Sequence, residues 1–346
     1  MPAYVSPPRT VLGTHKVTTE EISDDIRLHH PDHPRLRAVL RVVDNCGVRT
    51  RHFTRPLDAA TISGTAGVDE RTRLAFEDAL DLAERASMSA LETAGLTVDD
   101  IDAIVTTHAT GWAVPNLDIH LIHRLGLRPT TRRIAMTTAA CGGGAQALIR
   151  ASDLVAARPG SAVLVVASEV LSATYNHAAS SIESMIYKAL FGDAAAATVV
   201  TSEPLGPGLA VDDTFEYTLP DSVTRYRGRL DDKGMHFEST KLAPTTAAET
   251  LTVVKDWYGA QVPDFTVIHP GGLSIIGDTA EAFGIDPELT RHSTESLADE
   301  GNLGGVSLLR VLERTCAAPP AADARGLAVA YGPGFFSAAL KCHWHA

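Results

Sequence analysis

The sequence of 346 residues is poor in cysteine, and its four cysteines are scattered. Cys46, Cys141, Cys316 and Cys342 form no C-x-x-C pair, which argues against a structural zinc site and against a disulfide framework. We therefore expect four free thiols and no bound metal.

Long apolar runs are also absent. The longest, residues 162–167 and 194–200, are far shorter than the roughly 20 residues that a membrane-spanning helix needs. The first nine residues show no basic region followed by an apolar stretch, so no secretory signal is indicated. These observations predict a cytoplasmic protein without a membrane-spanning segment.

Positive charge is in deficit, since 30 Lys and Arg residues face 42 Asp and Glu residues, a formal net charge of -12. Such a surface repels phosphate backbones, which excludes nucleic acid as the expected partner. Hydrophobic residues at 45% and charged residues at 21% are typical of a fully folded chain. Because single cores stop growing near about 250–300 residues, this length predicts two cores or one duplicated architecture.

Apolar periodicity supports a duplication, because helices alternate with short buried strands on both sides of a Pro/Gly-rich stretch at 204–208. We place the boundary there, with an N-terminal half of residues 1–205 and a C-terminal half of residues 206–346. The predicted helices cover residues 35–45, 70–94, 116–125, 145–157, 246–258, 273–283 and 306–314. The predicted strands cover residues 102–107, 161–168, 193–201, 265–269, 327–331 and 336–341. This alternation indicates the α/β class.

Cys141 stands directly before a glycine triplet, residues 142–144, that opens a predicted helix. A thiolate there faces unpaired backbone amides and the positive end of the helix dipole, a setting that can depress the pKa of a cysteine to about 3.5–7.5. Taken alone, a cysteine is more often a small buried residue. Its role therefore depends on the groups that the fold brings to it.

Two more residues with glycines nearby lie at the ends of predicted elements. His269 follows a buried strand, where open α/β sheets present functional groups, although an isolated histidine is more often structural. Asn302 lies at the start of a helix, where its simplest interpretation is an N-cap. Together Cys141, His269 and Asn302 supply a nucleophile, an imidazole and an amide, which suits attack on a thioester and stabilisation of an oxyanion.

Sequence segments that match a known family extend over nearly the whole chain. They are residues 43–51, Gly-Leu-Arg-Pro at 126–129, the Cys141 loop, residues 164–169, Leu-Phe-Gly-Asp at 190–193, Ile-His-Pro-Gly-Gly at 268–272, Gly-Asn at 301–302 and Tyr-Gly-Pro-Gly at 331–334. On these segments the sequence resembles the type III polyketide synthases, the chalcone-synthase-like branch of the thiolase-fold condensing enzymes. The resemblance implies a five-layered αβαβα thiolase fold with two pseudo-equivalent halves, in a homodimer that needs no metal or bound cofactor.

The resemblance also implies a mechanism for an acyltransferase. Cys141 would take an acyl group from an acyl-CoA starter. His269 and Asn302 would bind the thioester carbonyl of malonyl-CoA and stabilise the enolate and the oxyanion of a decarboxylative Claisen condensation. The implied partners are these two thioesters, with an acyl carrier protein as a further candidate.

Several positions match family residues around the substrate. Phe191 and Phe237 match a phenylalanine pair at the junction of the active site and the CoA tunnel. Arg41 matches a basic residue that contacts a CoA phosphate, whereas a neighbouring family lysine is Asn45 here, so the resemblance implies a less basic CoA entrance.

Other positions depart from the family around the cavity. Val114 replaces a methionine that reaches into the partner subunit's cavity, with Trp112 adding bulk nearby. Gly304 belongs to Gly-Asn-Leu-Gly-Gly, where the family has Gly-Asn-x-Ser-Ser, while Thr174 keeps a small polar side chain. These differences imply a reshaped cavity.

Three alternatives use the same chemistry. A ketoacyl-ACP synthase III-like enzyme would condense once, and a non-condensing acyltransferase would only transfer the acyl group. A cysteine hydrolase also has Cys, His and Asn in this chain order, but the papain-like signature C-G-[SA]-C-[WY] is absent.

Histidines also cluster in two places outside these segments. His29, His30 and His33 alternate with prolines and predict a solvated loop, while His343 and His345 predict a frayed tail. We expect neither group to bind a metal.

Overall fold

The computed structural model describes residues 2–346, apart from the side chain of Pro244. Within that range the chain forms fourteen β-strands and eleven α-helices. The strands are β1 Ala3–Val5, β2 Arg9–Leu12, β3 His15–Thr18, β4 Thr50–Phe53, β5 Ile101–His108, β6 Arg132–Thr137, β7 Ala162–Glu169, β8 Ala194–Thr201, β9 Gly208–Thr218, β10 Tyr226–Asp231, β11 Gly234–Ser239, β12 Phe265–Ile268, β13 Arg325–Gly332 and β14 Phe336–His345. The helices are α1 Thr19–His29, α2 Leu36–Asp44, α3 Ala60–Ser63, α4 Val68–Ala94, α5 Leu117–Leu125, α6 Gly143–Ala157, α7 Ile182–Leu190, α8 Ala243–Tyr258, α9 Leu273–Phe283, α10 Arg291–Glu300 and α11 Ser307–Ala317.

Ten of these strands form one mixed sheet, in the order β12-β13-β14-β9-β1-β8-β7-β5-β6, with β2 also pairing with β8. Strand β1 connects the strands that precede residue 205 to those that follow it, because it pairs antiparallel with both β8 and β9. The predicted division into halves at residue 205 falls between β8 and β9 and stays a prediction.

The helices form three layers, one between the two ends of the sheet and one on the outer face of each end. The middle layer consists of α6 and α11, whose apolar side chains share one core with strands from both ends of the sheet. Helices α4 and α5 cover the outer face of β5, β7 and β8, and helices α8 and α9 cover the outer face of β13 and β14. The layers therefore follow the αβαβα order that the sequence predicts.

The predicted elements are all present, with small shifts at their ends. Strands β7 and β8 are buried along their whole length, which explains why they appear in the sequence as continuous apolar runs and not as alternating patterns. Helix α4 ends at Gly95, whose φ of 68° closes the helix in the left-handed conformation that glycine adopts at least cost.

Helix α1 is one of several elements that the prediction missed, together with α10 and strands β9, β10 and β11. Of the histidines expected in a solvated loop, His30 and His33 do lie between α1 and α2, whereas His29 is the last residue of α1. A capping box begins this helix. The hydroxyl of Thr18 accepts a hydrogen bond from the backbone N–H of Glu21, and the carboxylate of Glu21 accepts one from the N–H of Thr18.

The predicted frayed tail at His343 and His345 is also wrong. Strand β14 continues to His345, which pairs with Gly208 of β9. Trp344, which separates the two histidines in the chain, is buried. The Nδ1 atom of His343 lies 2.9 Å from a carboxylate oxygen of Asp212. The end of the chain is ordered because its backbone groups are paired in the sheet.

Two composition-based expectations can be compared with the structure. All four cysteines are free, which confirms that prediction. Within residues 2–346, no helix combines the length and apolar character that crossing a bilayer would require.

Candidate active site

A cavity of about 250 Å³ opens where several strands end, and Cys141, His269 and Asn302 all contribute to its wall. Cys141 comes shortly after β6, and His269 directly follows β12. Glu169, the last residue of β7, lines the same space. The three predicted catalytic side chains are thus brought together from distant parts of the chain.

Cys141 lies in a single 3-10 turn, Ala140–Gly142, which leads directly into α6. Tight packing explains the glycine triplet beside it. A Cβ at Gly142 would collide with the ring of Phe336, and one at Gly143 would collide with the hydroxyl of Thr107. A Cβ at Gly144 would collide with the carbonyl oxygen of Gly305. The triplet therefore brings the nucleophile loop close to the Asn302 loop, since Gly305 belongs to that loop.

The side-chain amide of Asn302 is oriented by two hydrogen bonds. Its Oδ1 accepts from the backbone N–H of Gly304 at 2.8 Å, which leaves the NH₂ group on the other side. There Nδ2 lies 4.0 Å from Sγ of Cys141 and donates to the carbonyl of Gly271 at 3.4 Å. Asn302 therefore presents a donor, not an acceptor, next to the sulfur.

The backbone of Asn302 is held by the segment that carries Phe191. The N–H of Asn302 donates to the carbonyl of Leu190 at 2.8 Å, and the N–H of Gly192 donates to the carbonyl of Asn302 at 3.1 Å. Gly301 permits this approach with a φ of 75°, because a Cβ there would lie 2.6 Å from the Leu190 oxygen. The bridge places an aromatic side chain and the amide on one wall of the cavity.

His269 is buried, and its Nδ1 has no hydrogen-bond partner among the described residues. Burial lowers the pKa of His269 to about 3, so the imidazole is neutral at pH 7. A neutral imidazole has one N–H and one bare ring nitrogen, so His269 can accept the proton of a thiol and can also donate a hydrogen bond to an oxyanion.

The pKa of Cys141 shifts in the direction opposite to the sequence-based expectation. Burial, followed by the charge of Glu169, raises the pKa of the Cys141 thiol to about 12, and the hydrogen bond from Asn302 opposes this shift. The helix dipole and nearby amides are outweighed by loss of solvent. Cys141 and His269 are therefore both neutral at pH 7, and the thiol loses its proton only during reaction.

Glu169 was not among the predicted site residues. Burial raises the pKa of Glu169 to about 8, although its Oε2 accepts from the N–H of Ala109 at 3.1 Å. Its Oε1 has no partner among the described residues. A charged residue at the carboxyl end of an otherwise apolar buried strand is the signal in the sequence that could have identified it.

Aromatic rings line the cavity in two groups. Phe191 stacks on Tyr187 at 5.1 Å and meets Phe237 edge-to-face at 5.9 Å. Tyr226 stacks on Phe335 at 5.7 Å. Phe191 and Phe237 both line the cavity, and their place at a CoA tunnel stays a prediction, whereas the three other rings were not predicted.

The remaining predicted residues divide into two groups. Gly304 lines the cavity, and its φ of 59° together with the nearby side chains of Glu169 and Leu171 leaves little room for a larger residue. Arg41, Val114 and Thr174 are outside the cavity wall. Arg41 and Val114 are exposed, and the hydroxyl of Thr174 donates to the carbonyl of Leu171 at 2.7 Å.

One group of side chains away from the cavity wall has metal-ligand chemistry, namely Asp25, His29 and His177, whose ligand atoms lie within 4.8 Å of one another. The Asp25 carboxylate already accepts from the hydroxyl of Tyr175 at 2.7 Å and lies 3.1 Å from Nε2 of His177. The two imidazoles stack at 3.8 Å, so their ring planes do not converge on one point. The contacts of Asp25 with Tyr175 and His177, and the stacking of the two rings, account for this cluster.

Comparison with known proteins decides the family. Residues 10–204, more than half of the chain, match the family of chalcone and stilbene synthases through its N-terminal domain. The chain is also 30% identical over 343 residues to 1,3,6,8-tetrahydroxynaphthalene synthase of Streptomyces griseus, which covers 97% of this chain and 91% of that protein. The chain belongs to the type III polyketide synthases.

Two further comparisons agree with this assignment. Phloroglucinol synthase of Pseudomonas fluorescens is 28% identical over 345 residues, covering 98% of both chains. The structure of germicidin synthase from Streptomyces coelicolor, a type III polyketide synthase, superposes with a TM-score of 0.94 at 32% identity, over 99% of this chain and 100% of that one. This type III polyketide synthase is therefore an acyltransferase with the thiolase fold, as predicted, and the matches favour that function over the hydrolase and ketoacyl-ACP synthase alternatives.

Proposed function

We propose that this type III polyketide synthase loads an acyl-CoA starter on Cys141 and extends it with malonyl-CoA by decarboxylative Claisen condensation. The observation that carries the proposal is the oriented amide of Asn302. The Gly304 N–H holds it so that Nδ2 faces Sγ of Cys141, in the same cavity as His269.

In the loading step, Sγ of Cys141 attacks the thioester carbonyl of the starter. Because burial raises the pKa of Cys141 and lowers that of His269, the thiol proton passes to the imidazole only as the new carbon–sulfur bond forms. The tetrahedral oxyanion accepts hydrogen bonds from the Asn302 amide. The carbon–sulfur bond to CoA then breaks, and the departing CoA sulfur takes the proton back from His269.

In the extension step, malonyl-CoA loses CO₂ as the bond between its carboxylate and its α-carbon breaks. The electron pair moves into the thioester, whose enolate oxygen accepts hydrogen bonds from an imidazole N–H of His269 and from Nδ2 of Asn302. The α-carbon then attacks the acyl carbonyl on Cys141 and forms a tetrahedral oxyanion. As this oxyanion collapses, the carbon–sulfur bond to Cys141 breaks, and the departing thiolate takes a proton from water to restore the thiol. Since both oxyanions are stabilised by side-chain N–H donors, the scheme requires no metal or bound cofactor.

The proposed enzyme is a homodimer. Strand β6 is the last strand of the sheet, and most of its residues are exposed. In the loop that follows β5, the strand paired with β6, Trp112 and Val114 are 73% and 81% exposed. An open strand edge next to large exposed apolar side chains is typical of a surface that a second copy covers.

Two further parts of the proposal concern the surroundings of the enzyme. Four free thiols suit a reducing compartment, which supports a cytoplasmic location. The growing chain is carried on Cys141 itself, so CoA thioesters suffice as donors and an acyl carrier protein is an alternative donor for loading.

Intact-protein mass spectrometry tests the proposal. The purified enzyme is incubated with a panel of acyl-CoAs. The wild type should gain the mass of one acyl group, and Cys141→Ala should gain none. An unchanged mass in the wild type, or the same gain in Cys141→Ala, rejects covalent loading. Addition of malonyl-CoA should then release chain-extended products, and an acylated enzyme that releases none is an acyltransferase only.

A further inference from the structure

Arg71, in the first turn of α4, is a buried arginine with an unusual set of partners. It is 3% exposed, and no ion pair to it exists among the described residues. Its guanidinium instead donates to the backbone carbonyls of Thr61 at 3.0 Å, Ala173 at 2.9 Å and Tyr175 at 2.8 Å, and to that of Lys233. A buried cation is costly, and these four hydrogen bonds, which use four of the five N–H donors of the guanidinium, offset the loss of water.

The bond to Lys233 differs from the others because it reaches a separate element. Lys233 lies in the turn between β10 and β11, which form a two-stranded hairpin apart from the main sheet. Asn176 also donates to the Lys233 carbonyl, at 3.4 Å. The turn of the hairpin is therefore attached to α4 and to the segment after β7.

Gly234 provides an independent sign that this attachment is built into the chain. Its φ is 111°, and a Cβ there would lie 2.5 Å from Nη1 of Arg71. Because Gly234 has no side chain, the guanidinium of Arg71 can occupy the space beside it. A side chain at this position would push the hairpin and Arg71 apart.

The hairpin forms part of the wall of the active-site cavity. Tyr226 and Arg227 of β10 and Phe237 of β11 line it. At the other end of the hairpin, the hydroxyl of Tyr226 donates to the carbonyl of Ala243 in α8 at 3.0 Å. The hairpin therefore crosses the cavity between two anchors, α8 at its open end and Arg71 at its turn.

We propose that Arg71 is a positioning residue that fixes where Phe237 meets Phe191 in the cavity wall, and through this contact the acyl chain length that the enzyme accepts. This inference rests on the proposed function, because it concerns the starter bound next to Cys141. The separation of the two ring centroids, 5.9 Å, depends on where the hairpin is held. Arg71 acts on the substrate only through the hairpin.

Two variants test the proposal from both sides of the contact. Arg71→Lys keeps the charge but cannot reach four carbonyls with one ammonium group. Gly234→Ala keeps Arg71 and displaces the turn. The control is Arg55→Lys. The guanidinium of Arg55 pairs with Asp78 of α4 at 2.8 Å and does not contact the hairpin.

The first readout is hydrogen exchange of the native protein. Amides of residues 226–239 should exchange about tenfold faster in Arg71→Lys and in Gly234→Ala, and at the wild-type rate in Arg55→Lys. Unchanged exchange of the hairpin in both variants overturns the proposal. If Arg71→Lys does not fold, Gly234→Ala alone decides.

The second readout is the ratio of kcat/KM for acylation of Cys141 by decanoyl-CoA and by acetyl-CoA. We expect the preference for one chain length over the other to become about tenfold weaker in both variants, so that the ratio moves toward one. A hydrophobic pocket discriminates chain length by its fit. A purely structural role would lower both rates together and leave the ratio unchanged, which would overturn the role in specificity. If the wild type is not acylated at all, the proposed function fails, and the exchange rates still decide whether Arg71 anchors the hairpin.

Discussion

Phe191 and Asn302 lie opposite each other in a parallel β-bridge that joins the first part of the chain to the last. The bridge fixes the backbone of the amide residue, while the Gly304 N–H fixes its side chain. The donor next to Cys141 is therefore held at two points. Catalysis that depends on this donor should be sensitive to changes that touch only the bridge.

Gly301→Ala tests the bridge. Its Cβ would lie 2.6 Å from the carbonyl oxygen of Leu190 and displace Asn302. Decarboxylation of malonyl-CoA, measured as the rate of CO₂ release, should slow by about 100-fold. Small displacements of a catalytic group have effects of this size. Loading of Cys141 should fall less. The control is Gly259→Ala, because Gly259 (φ 97°, ψ -177°) shares the backbone region of Gly301 (φ 75°, ψ -170°) but has nothing within 4 Å. Equal losses in the two variants would contradict the prediction.

Gly144→Ala and Gly277→Ala form a matched pair of helical substitutions. A Cβ at Gly144 would collide with the Gly305 carbonyl, whereas a Cβ at Gly277 meets nothing within 4 Å. Gly277→Ala should raise the free energy of unfolding by up to about 1 kcal/mol, since alanine loses less entropy in a helix. Gly144→Ala should lower it. Chemical denaturation measures both, and a stabilising Gly144→Ala would show that the two loops are not in contact.

Glu169→Gln tests the buried carboxyl through the pH dependence of stability. The folded pKa is raised from 4.5 to about 8, so the unfolded chain releases this proton first. The stabilisation that the protonated carboxyl provides is complete below pH 4.5 and is lost as the pH rises toward about 8. Glutamine has no such proton. The melting temperature of Glu169→Gln minus that of the wild type should therefore increase between pH 4.5 and about 8 and stay constant above that pH.

Thermal unfolding in a series of buffers measures this difference. The exposed Glu92→Gln on α4 serves as the control for loss of a surface carboxylate. A constant difference between Glu169→Gln and the wild type at every pH would mean that Glu169 is ionised in the folded protein.

Trp112→Glu tests the proposed dimer. A charge at this 73% exposed position would have to be buried between two copies, so sedimentation should show a monomer. Leu28→Glu on α1 is the matched control, because Leu28 is 74% exposed and lies on another element. It should leave the dimer intact. A wild-type monomer, or a dimer that survives Trp112→Glu, would place the interface elsewhere or remove it.

Much of this architecture could be predicted from local patterns. Helix α4 is recognisable because its apolar residues repeat at helical spacing and Gly95 ends it, and β7 and β8 because they are continuous apolar runs. Cys141, His269 and Asn302 were identified by glycines and strand ends near each of them. Helix α1 was missed even though the pair Thr18 and Glu21 carries its capping signal.

The sequence by itself determined which side chains could do chemistry, because residue type and local spacing specify nucleophile, imidazole and amide. Only the tertiary structure decided their state. The pKa values of Cys141 and Glu169 are raised because the folded chain removes water around them, which no local pattern encodes. The contact of Arg71 with the β10–β11 hairpin likewise joins residues far apart in the chain, so it follows from packing and not from spacing.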